Sequence, residues 1–395
     1  MTKRSITKRI YYVSNAFEES VKNQRGITTD SPAANRKVIT LCKAVKQAGG
    51  DVEIISLGRG RVKGTWKSYS LISTQADIVP ITYLPYLDAS LITHLVTMVS
   101  LFSFVIGRTD KDSTFIFYNY YPHYLLALLF CKLTSRKCIL DIEDGVRADE
   151  FLLRKLLNLW LLKIHNWCCR TGVMLAATAL EGQASGQSSY ICYGVSEATK
   201  TFRDWQKVPL QVHFGGSLLE ETGAILFLDT LDFLMRSNPE IFEKLRFVVT
   251  GFGPYAHLIG AAAKSRMNNF LHFYGNVSSA EYQDIIQHSH IGLCLKLSAN
   301  SMGATTFPSK VLELASYGLL LVSTKVSDVP LLFDNESAIF LDEETPRVLA
   351  KSLVDIAKNP NKARNIAFAG QRRILNTLSE EKIGSELLTF CNVEH

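Results

Sequence analysis

Residues 245–277, LRFVVTGFGPYAHLIGAAAKSRMNNFLHFYGNV, decide the fold class. Leu245–Thr250 is a short apolar run rich in β-branched residues, the length of a buried strand. Gly251-Phe252-Gly253-Pro254-Tyr255-Ala256 then turns the chain into a helix, with Pro254 at the first helical position, where its missing N–H costs nothing. A second strand follows at Asn269–Tyr274. Strand, glycine turn, helix and strand in so short a stretch make a βαβ unit, which requires parallel strands and a right-handed crossover.

The same alternation runs outward in both directions. Expected strands before it are Arg9–Ser14, Asp51–Leu57, Ile78–Tyr83, Thr114–Asn119, Lys137–Ile142, Gly172–Thr178, Tyr190–Tyr193 and Leu210–Phe214; those after it are His290–Leu295, Leu319–Ser323 and Ala338–Leu341. Helical stretches at Pro32–Gln47, Tyr121–Leu133 and Glu150–Cys169 separate them. The expected fold class is therefore α/β, with two doubly wound Rossmann-like domains facing a cleft. Their expected bounds are 1–205 and 206–376, with the last helix, about 377–395, packing back on the first domain.

Length and composition agree. The 395 residues suit two or three domains, and 47% hydrophobic with 20% charged residues is ordinary globular usage. A net charge of +6 is too mild for a dedicated nucleic-acid binder, and no nucleic-acid partner is expected. Eight cysteines form no CxxC pair and no metal-like spacing, as in a cytoplasmic protein with reduced, buried thiols. The 19 uncharged residues Ala89–Gly107 approach the length of a membrane span. Polar Ser90, Thr93, His94, Thr97, Ser100 and Ser103 recur every three or four positions, so a helix packed against a sheet is expected instead. Helix 150–170 mixes Leu and Trp with Arg154, Lys155, Lys163 and Arg170, which suits either an anionic membrane surface or ordinary packing with basic ends in water.

Three segments of the second domain carry the chemistry. Ligands of doubly wound sheets sit beyond the carboxyl ends of the strands. Val212-His213-Phe214-Gly215-Gly216-Ser217 ends in two glycines that let a phosphate approach the backbone. Gly251–Ala256 fits the G-x-G-x-x-G/A fingerprint of dinucleotide sites, yet the acidic ribose partner expected about 20 residues on is missing from LHFYGNV; a tight turn and a ligand contact both stay open for Gly251 and Gly253. Thr305-Thr306-Phe307-Pro308-Ser309-Lys310-Val311-Leu312-Glu313 reads as a helix start, where the amides of Ser309, Lys310 and Val311 and the Lys310 charge would hold an anion. Glu313, one turn along, either accepts ribose hydroxyls or merely complements the helix dipole.

In this order the segments resemble the C-terminal domain of the GT-B glycosyltransferases, specifically retaining family 4 and its FPSK-containing bacterial relatives. The resemblance runs through GGSLLEETG, FVVTGFGP, LHFYGNVSSAEYQDIIQHSHIGLCL and TTFPSKVLELASYGLLLVST, and more loosely through RIYYVSNAF and CILDIEDG. It implies sugar transfer from a nucleotide-sugar donor to a hydroxyl of a saccharide or lipid-linked acceptor, in surface polysaccharide or glycolipid synthesis at the inner face of the membrane. The implied donor contacts are Gly215, Gly216, Ser217, Thr222, Gly251, Gly253, Gly275, Asn276, Val277, Thr305, Thr306, Phe307, Pro308, Ser309, Lys310, Val311 and Glu313. No metal or other cofactor is implied. Where the family has Arg and Lys after the glycines, this chain has Ser217 and Thr222, and the first of the paired glutamates falls on Thr305. Those departures raise the alternative of a non-catalytic GT-B protein that partners an active transferase.

In the first domain, Asp141-Ile142-Glu143-Asp144-Gly145 ends a strand at the ligand edge. Glu143 and Asp144 suit either acceptor orientation and general-base work or a loop cap. The loop Asn15–Asp30, with Lys22, Arg25 and Gly26, is a candidate to close over the leaving diphosphate. Asp110-Lys111-Asp112 matches a metal-binding DxD but precedes its strand, at the wrong edge. No G-x-S-x-G or HExxH motif occurs, which removes hydrolase and metalloprotease readings.

Overall fold

The computed structural model describes residues 8–27, 32–60, 64–90, 92–146, 151–184, 187–197, 199, 203–299 and 306–392. The chain forms two compact units, residues 1–195 with 378–395, and residues 196–377. The dividing point lies ten residues before the expected 205/206. Its physical basis is a set of bonds that ties the intervening segment to the second unit: Ser196 Oγ pairs with Ser316 Oγ, Thr199 donates to Ser316 O, and Arg203 donates to Tyr317 O and Ile286 O.

In the first unit the strands are β1 (Ile10–Ser14), β2 (Val52–Ser56), β3 (Lys67–Tyr69), β4 (Ile72–Ala76), β5 (Val79–Tyr83), β6 (Tyr86–Asp88), β7 (Thr114–Tyr118), β8 (Lys137–Ile142), β9 (Gly172–Leu175) and β10 (Ser189–Ile191). Eight of them form one sheet in the order β10-β9-β8-β7-β1-β2-β5-β4, all parallel except β4. The helices are α1 (Glu19–Arg25), α2 (Pro32–Gln47), α3 (Ile92–Arg108), α4 (Leu125–Leu133) and α5 (Leu152–Cys168). Inward-facing Val13, Phe115, Phe117, Leu140 and Val173 share one core with Leu101, Phe104, Leu128 and Leu162 of α3, α4 and α5.

The antiparallel β4–β5 hairpin and the small β3–β6 pair are additions to the expected all-parallel sheet. Asp77, in the left-handed region at φ 53°, closes the β4–β5 turn. As expected, α3 packs on the first unit's core, through Leu101, Phe104 and Val105 with His94 and Ser103 exposed, but its polar positions do not all share one face. Thr93 and Thr97 are buried, because Thr93 Oγ1 donates to Leu87 O and Thr97 Oγ1 to Thr93 O, while Leu95, Val99 and Ile106 face outward.

The second unit contains β11 (Leu210–Ser217), β12 (Leu245–Phe252), β13 (Leu271–Gly275), β14 (Ile291–Cys294), β15 (Leu320–Ser323) and β16 (Ile339–Phe340) in the order β13-β12-β11-β14-β15-β16, all parallel. Renumbered from one, that is the 3-2-1-4-5-6 order of a dinucleotide-type sheet, whose strand order reverses between β11 and β14. Its helices are α6 (Ala224–Ser237), α7 (Ala256–Lys264), α8 (Ser279–His288), α9 (Lys310–Ser316), α10 (Val329–Leu332), α11 (Pro346–Lys358) and α12 (Pro360–Thr377). The terminal helix α13 (Glu380–Asn392) packs on α2 of the first unit. The approach is close enough that a Cβ on Gly384 would stand 2.1 Å from Ala44 O.

Candidate functional site

The switch point between β11 and β14 is where the second unit gathers its polar groups. β11 ends in Gly215 and Gly216, the latter at φ 110°, a conformation that favours glycine. Beside it lies the Lys310 side chain from the start of α9: a Cβ added to Gly216 would stand 3.3 Å from Lys310 Nζ. The ammonium also sits 5.5 Å from the centroid of the Tyr282 ring on α8. Tyr282 in turn donates its hydroxyl to Glu313 Oε2 at 2.9 Å. A lysine and a carboxylate from α9, a tyrosine from α8 and the glycine turn of β11 thus converge from three elements far apart in sequence.

Local chemistry fixes each element. A capping box starts α8: Ser278 Oγ accepts from Glu281 N, and the Glu281 carboxylate accepts from Ser278 Oγ and from Ser278 N, which together hold the Glu281 pKa below its ordinary value. Tyr282 follows in the first turn, so the cap aims it at the site. Beneath Gly215, His213 is wholly buried, with Nε2 2.9 Å from Thr250 Oγ1 and its ring 5.8 Å from that of Tyr282. Burial first, and the Lys310 charge second, push the His213 pKa well below the imidazole range, so it is neutral. Among the described residues His213 Nδ1 has no hydrogen-bond partner.

Several expected donor contacts take other roles. The amides of Ser309 and Val311 already donate to Phe307 O and Pro308 O, at 3.0 Å each, and α9 spans only seven residues. Positive charge at this pole therefore comes from the Lys310 side chain rather than from a row of free amides. Thr222 Oγ1 donates to Ser217 O and accepts from Leu219 N, closing the turn after β11, whereas Ser217 is exposed. Gly251 and Gly253 allow close backbone packing, whether or not they also touch a ligand: a Cβ would stand 1.9 Å from Gly216 O at the first and 2.6 Å from Leu218 O at the second.

Phe307 is buried, Pro308 half-buried, and Thr306 O accepts from the buried Lys296 Nζ at 2.8 Å. Gly275 ends β13 at φ 66°, followed by exposed Asn276 and half-buried Val277 ahead of the α8 cap. Thr305 lies outside the described residues.

The first unit holds a separate polar cluster. Asp141 is fully buried and accepts from Tyr12 Oη, while Lys37 Nζ of α2 pairs with Glu143 and lies 3.7 Å from Asp141 Oδ1. Burial alone would lower the Lys37 pKa, but Asp141 and Glu143 outweigh it and raise it. Burial, opposed by Lys37, lifts the Glu143 pKa above its ordinary value. Asn119 Oδ1 accepts from Glu143 N at 2.8 Å and from Asp144 N at 3.3 Å, fixing the turn that leaves Asp144 exposed. The three carboxylates thus split into one structural, one ion-paired and one exposed group.

The expected closing loop is partly helical. Lys22 and Arg25 lie in α1, and Gly26 at φ 64° is its left-handed C-cap. Arg25 is buried, donating to Gly58 O, Leu84 O and Ser70 O, so its charge is engaged by the scaffold. Lys22 pairs with Glu19 at 3.1 Å. Residues 28–30 of that loop lie outside the described residues. Lys37, His213 and Tyr282 were not singled out from sequence; a histidine inside the apolar run VHF and a tyrosine four residues after a capping serine were the available signals.

A family model described as glycosyl transferase-like matches residues 229–388, from within α6 to within α13. No curated protein matches the sequence. Solved structures match along nearly the whole chain. A mutant of S. aureus TarM in complex with fondaparinux, alpha-GlcNAc-glycerol and UDP has 9% identity and a TM-score of 0.67, over 98% of this chain and 100% of that one. Sucrose-phosphate synthase from Thermosynechococcus elongatus has 12% identity and a TM-score of 0.68, over 96% and 97%. Anabaena HepE in complex with UDP has 11% identity and a TM-score of 0.65, over 96% and 98%.

The fold is GT-B. At such identities the likeness concerns architecture, and chemistry has to be read from this GT-B chain's own residues. Among those described, no group of three His, Cys, Asp or Glu is arranged to hold a metal ion.

Proposed function

We propose that this GT-B protein is a glycosyltransferase that takes a sugar from a nucleotide-sugar and delivers it to a hydroxyl of a saccharide or lipid-linked saccharide. The observation that carries the reading is the meeting of Lys310 Nζ, Gly216 and the Tyr282–Glu313 pair at the switch point of the second unit. A diphosphate against Gly216 meets a full positive charge, which strengthens its hold as negative charge builds on the leaving group. Glu313 then receives the ribose hydroxyls, with Tyr282 fixing its carboxylate. UDP, present in the TarM and HepE complexes, is the first nucleotide to try.

Lys310 supplies the charge that this scheme needs, and the scheme invokes no metal. Retention of configuration and a role in surface polysaccharide or glycolipid synthesis are proposed from the family 4 resemblance. The eight free, buried cysteines support a reducing, cytoplasmic setting. A second reading, a non-catalytic binding partner, is favoured by one observation: Thr222, where the resembled family has lysine, spends its hydroxyl on the turn.

Thermal unfolding with UDP-, GDP-, CMP- and dTDP-sugars and NAD tests donor binding, since a ligand at 100 times its Kd stabilises by about 2.7 kcal/mol. One nucleotide-sugar should raise the melting temperature, and NAD should not. Release of nucleoside diphosphate from that donor separates an enzyme from a binding partner. No stabilisation by any nucleotide would remove the enzyme reading and favour the binding partner.

A further inference from the structure

The outer surface of α3, α4 and α5 carries a feature that sugar transfer does not use. α3 packs on α4 and α4 on α5, all over one face of the first sheet. Leu95, Val99 and Ile106 of α3, and Leu133 of α4 at 84% exposure, face outward. On α5, Leu153, Leu156, Leu157, Trp160 and Trp167 are each more than half exposed and fall on one helical stripe. Apolar surface of this extent on a single face marks an interaction site.

The charge around it selects the occupant. Helices α3, α4 and α5, of 17, 9 and 17 residues, contain no Asp or Glu, although the chain holds 37. Their charged residues are all basic: Arg108, Lys132, Arg154, Lys155 and Lys163, followed by exposed Arg170. Lys132 Nζ lies 3.5 Å from the centroid of the Trp167 ring, so cation and aromatic are presented together. A groove of about 500 Å3 beside α3, lined by Leu84, Pro85, Leu95, Val99 and Phe104, also includes Arg108 in its wall. No described helix is long and apolar enough to cross a membrane.

We infer that the α3–α4–α5 face is a docking surface for an anionic lipid bilayer. Leu and Trp side chains enter the acyl boundary, Lys and Arg meet the phosphate headgroups, and the groove beside α3 accepts a lipid chain. The protein lies on the membrane and does not span it. Salt-screened attraction brings it there and apolar insertion holds it. A second copy of the chain would bring the same basic charges against one another, which disfavours self-association through this face. The inference stands whether or not the chain transfers sugar.

Flotation of the full chain with phosphatidylcholine vesicles, with and without phosphatidylglycerol, tests it. The expected result is binding to the anionic vesicles that weakens with salt. Replacing Leu153, Leu156 and Trp160 together by Gln should weaken partition roughly a hundredfold, because each removes a partly inserted apolar side chain. Arg154→Ala and Lys163→Ala should each weaken it about fivefold. All five positions are exposed, and an unchanged melting temperature verifies that the variants are folded. Failure of the wild type to float with anionic vesicles at low salt would overturn the inference, as would flotation of the folded triple variant like wild type. A dimer in solution that the triple variant abolishes, with no vesicle binding, would assign the face to a second copy instead.

Discussion

Replacing Lys310 by alanine removes the side-chain cation that the structure sets against Gly216. A charge-assisted hydrogen bond to phosphate contributes about 1.5–3 kcal/mol, which corresponds to a loss of roughly 12- to 150-fold in diphosphate affinity. Coulomb's law gives a ceiling: two unit charges about 4 Å apart at an effective dielectric near 20 interact by about 4 kcal/mol. Cost to the fold is small, because the cation–π contact with Tyr282 is worth about 0.5–1 kcal/mol and the neighbouring neutral His213 loses an adjacent charge. Calorimetry with UDP and with uridine separates the effects. UDP should weaken by one to two orders of magnitude while uridine is unchanged. Equal losses for both ligands, or none for either, would refute the placement of the diphosphate.

Glu313→Gln keeps the shape and the bond from Tyr282 but removes the charge that receives the ribose, so UDP and uridine should both weaken about tenfold or more in calorimetry, with the melting temperature nearly unchanged. Gly251→Ala would drive a Cβ to 1.9 Å from Gly216 O at φ 125°, and chemical denaturation should register a loss of about 3 kcal/mol; Gly216→Ala meets only the flexible end of Lys310 but holds an alanine at φ 110°, so it should cost stability through backbone strain as well as UDP affinity, and less stability than Gly251→Ala. His165 is buried, and burial lowers its pKa from 6.5 to about 4, so the unfolded chain takes up a proton between those values that the folded chain refuses. Stability is then complete above pH 6.5 and falls as the pH drops towards 4, by roughly 3 kcal/mol from this residue, an acid loss that His165→Gln should diminish in urea titrations.

The parallel framework was legible because most of its strands are short apolar runs ending at a turn signal and strict alternation with helices implies doubly wound sheets, whereas the 3-2-1-4-5-6 order came from the structure. β3 and β4 were not legible, since they are half-exposed and carry few apolar residues. Amphipathic logic read α3 in part: it packs on the core through Leu101, Phe104 and Val105, but Thr93 and Thr97 bury by bonding to backbone carbonyls while Leu95, Val99 and Ile106 face outward. Lys310 and Glu313 could be nominated from their spacing along one helix. Tyr282 and His213, separated from them by tens of residues, required the fold. Gly251 and Gly253 meet a need for close backbone packing, which arises with or without a ligand and so leaves the fingerprint's two readings open.

A crystal structure of the protein grown with UDP tests the central claim most directly. The account predicts the β-phosphate within about 3 Å of Lys310 Nζ, over Gly216, with the ribose hydroxyls on the Glu313 carboxylate. A nucleotide bound instead beside Lys37 and Glu143 of the first unit, or turned so that its ribose lies away from Glu313, would contradict it.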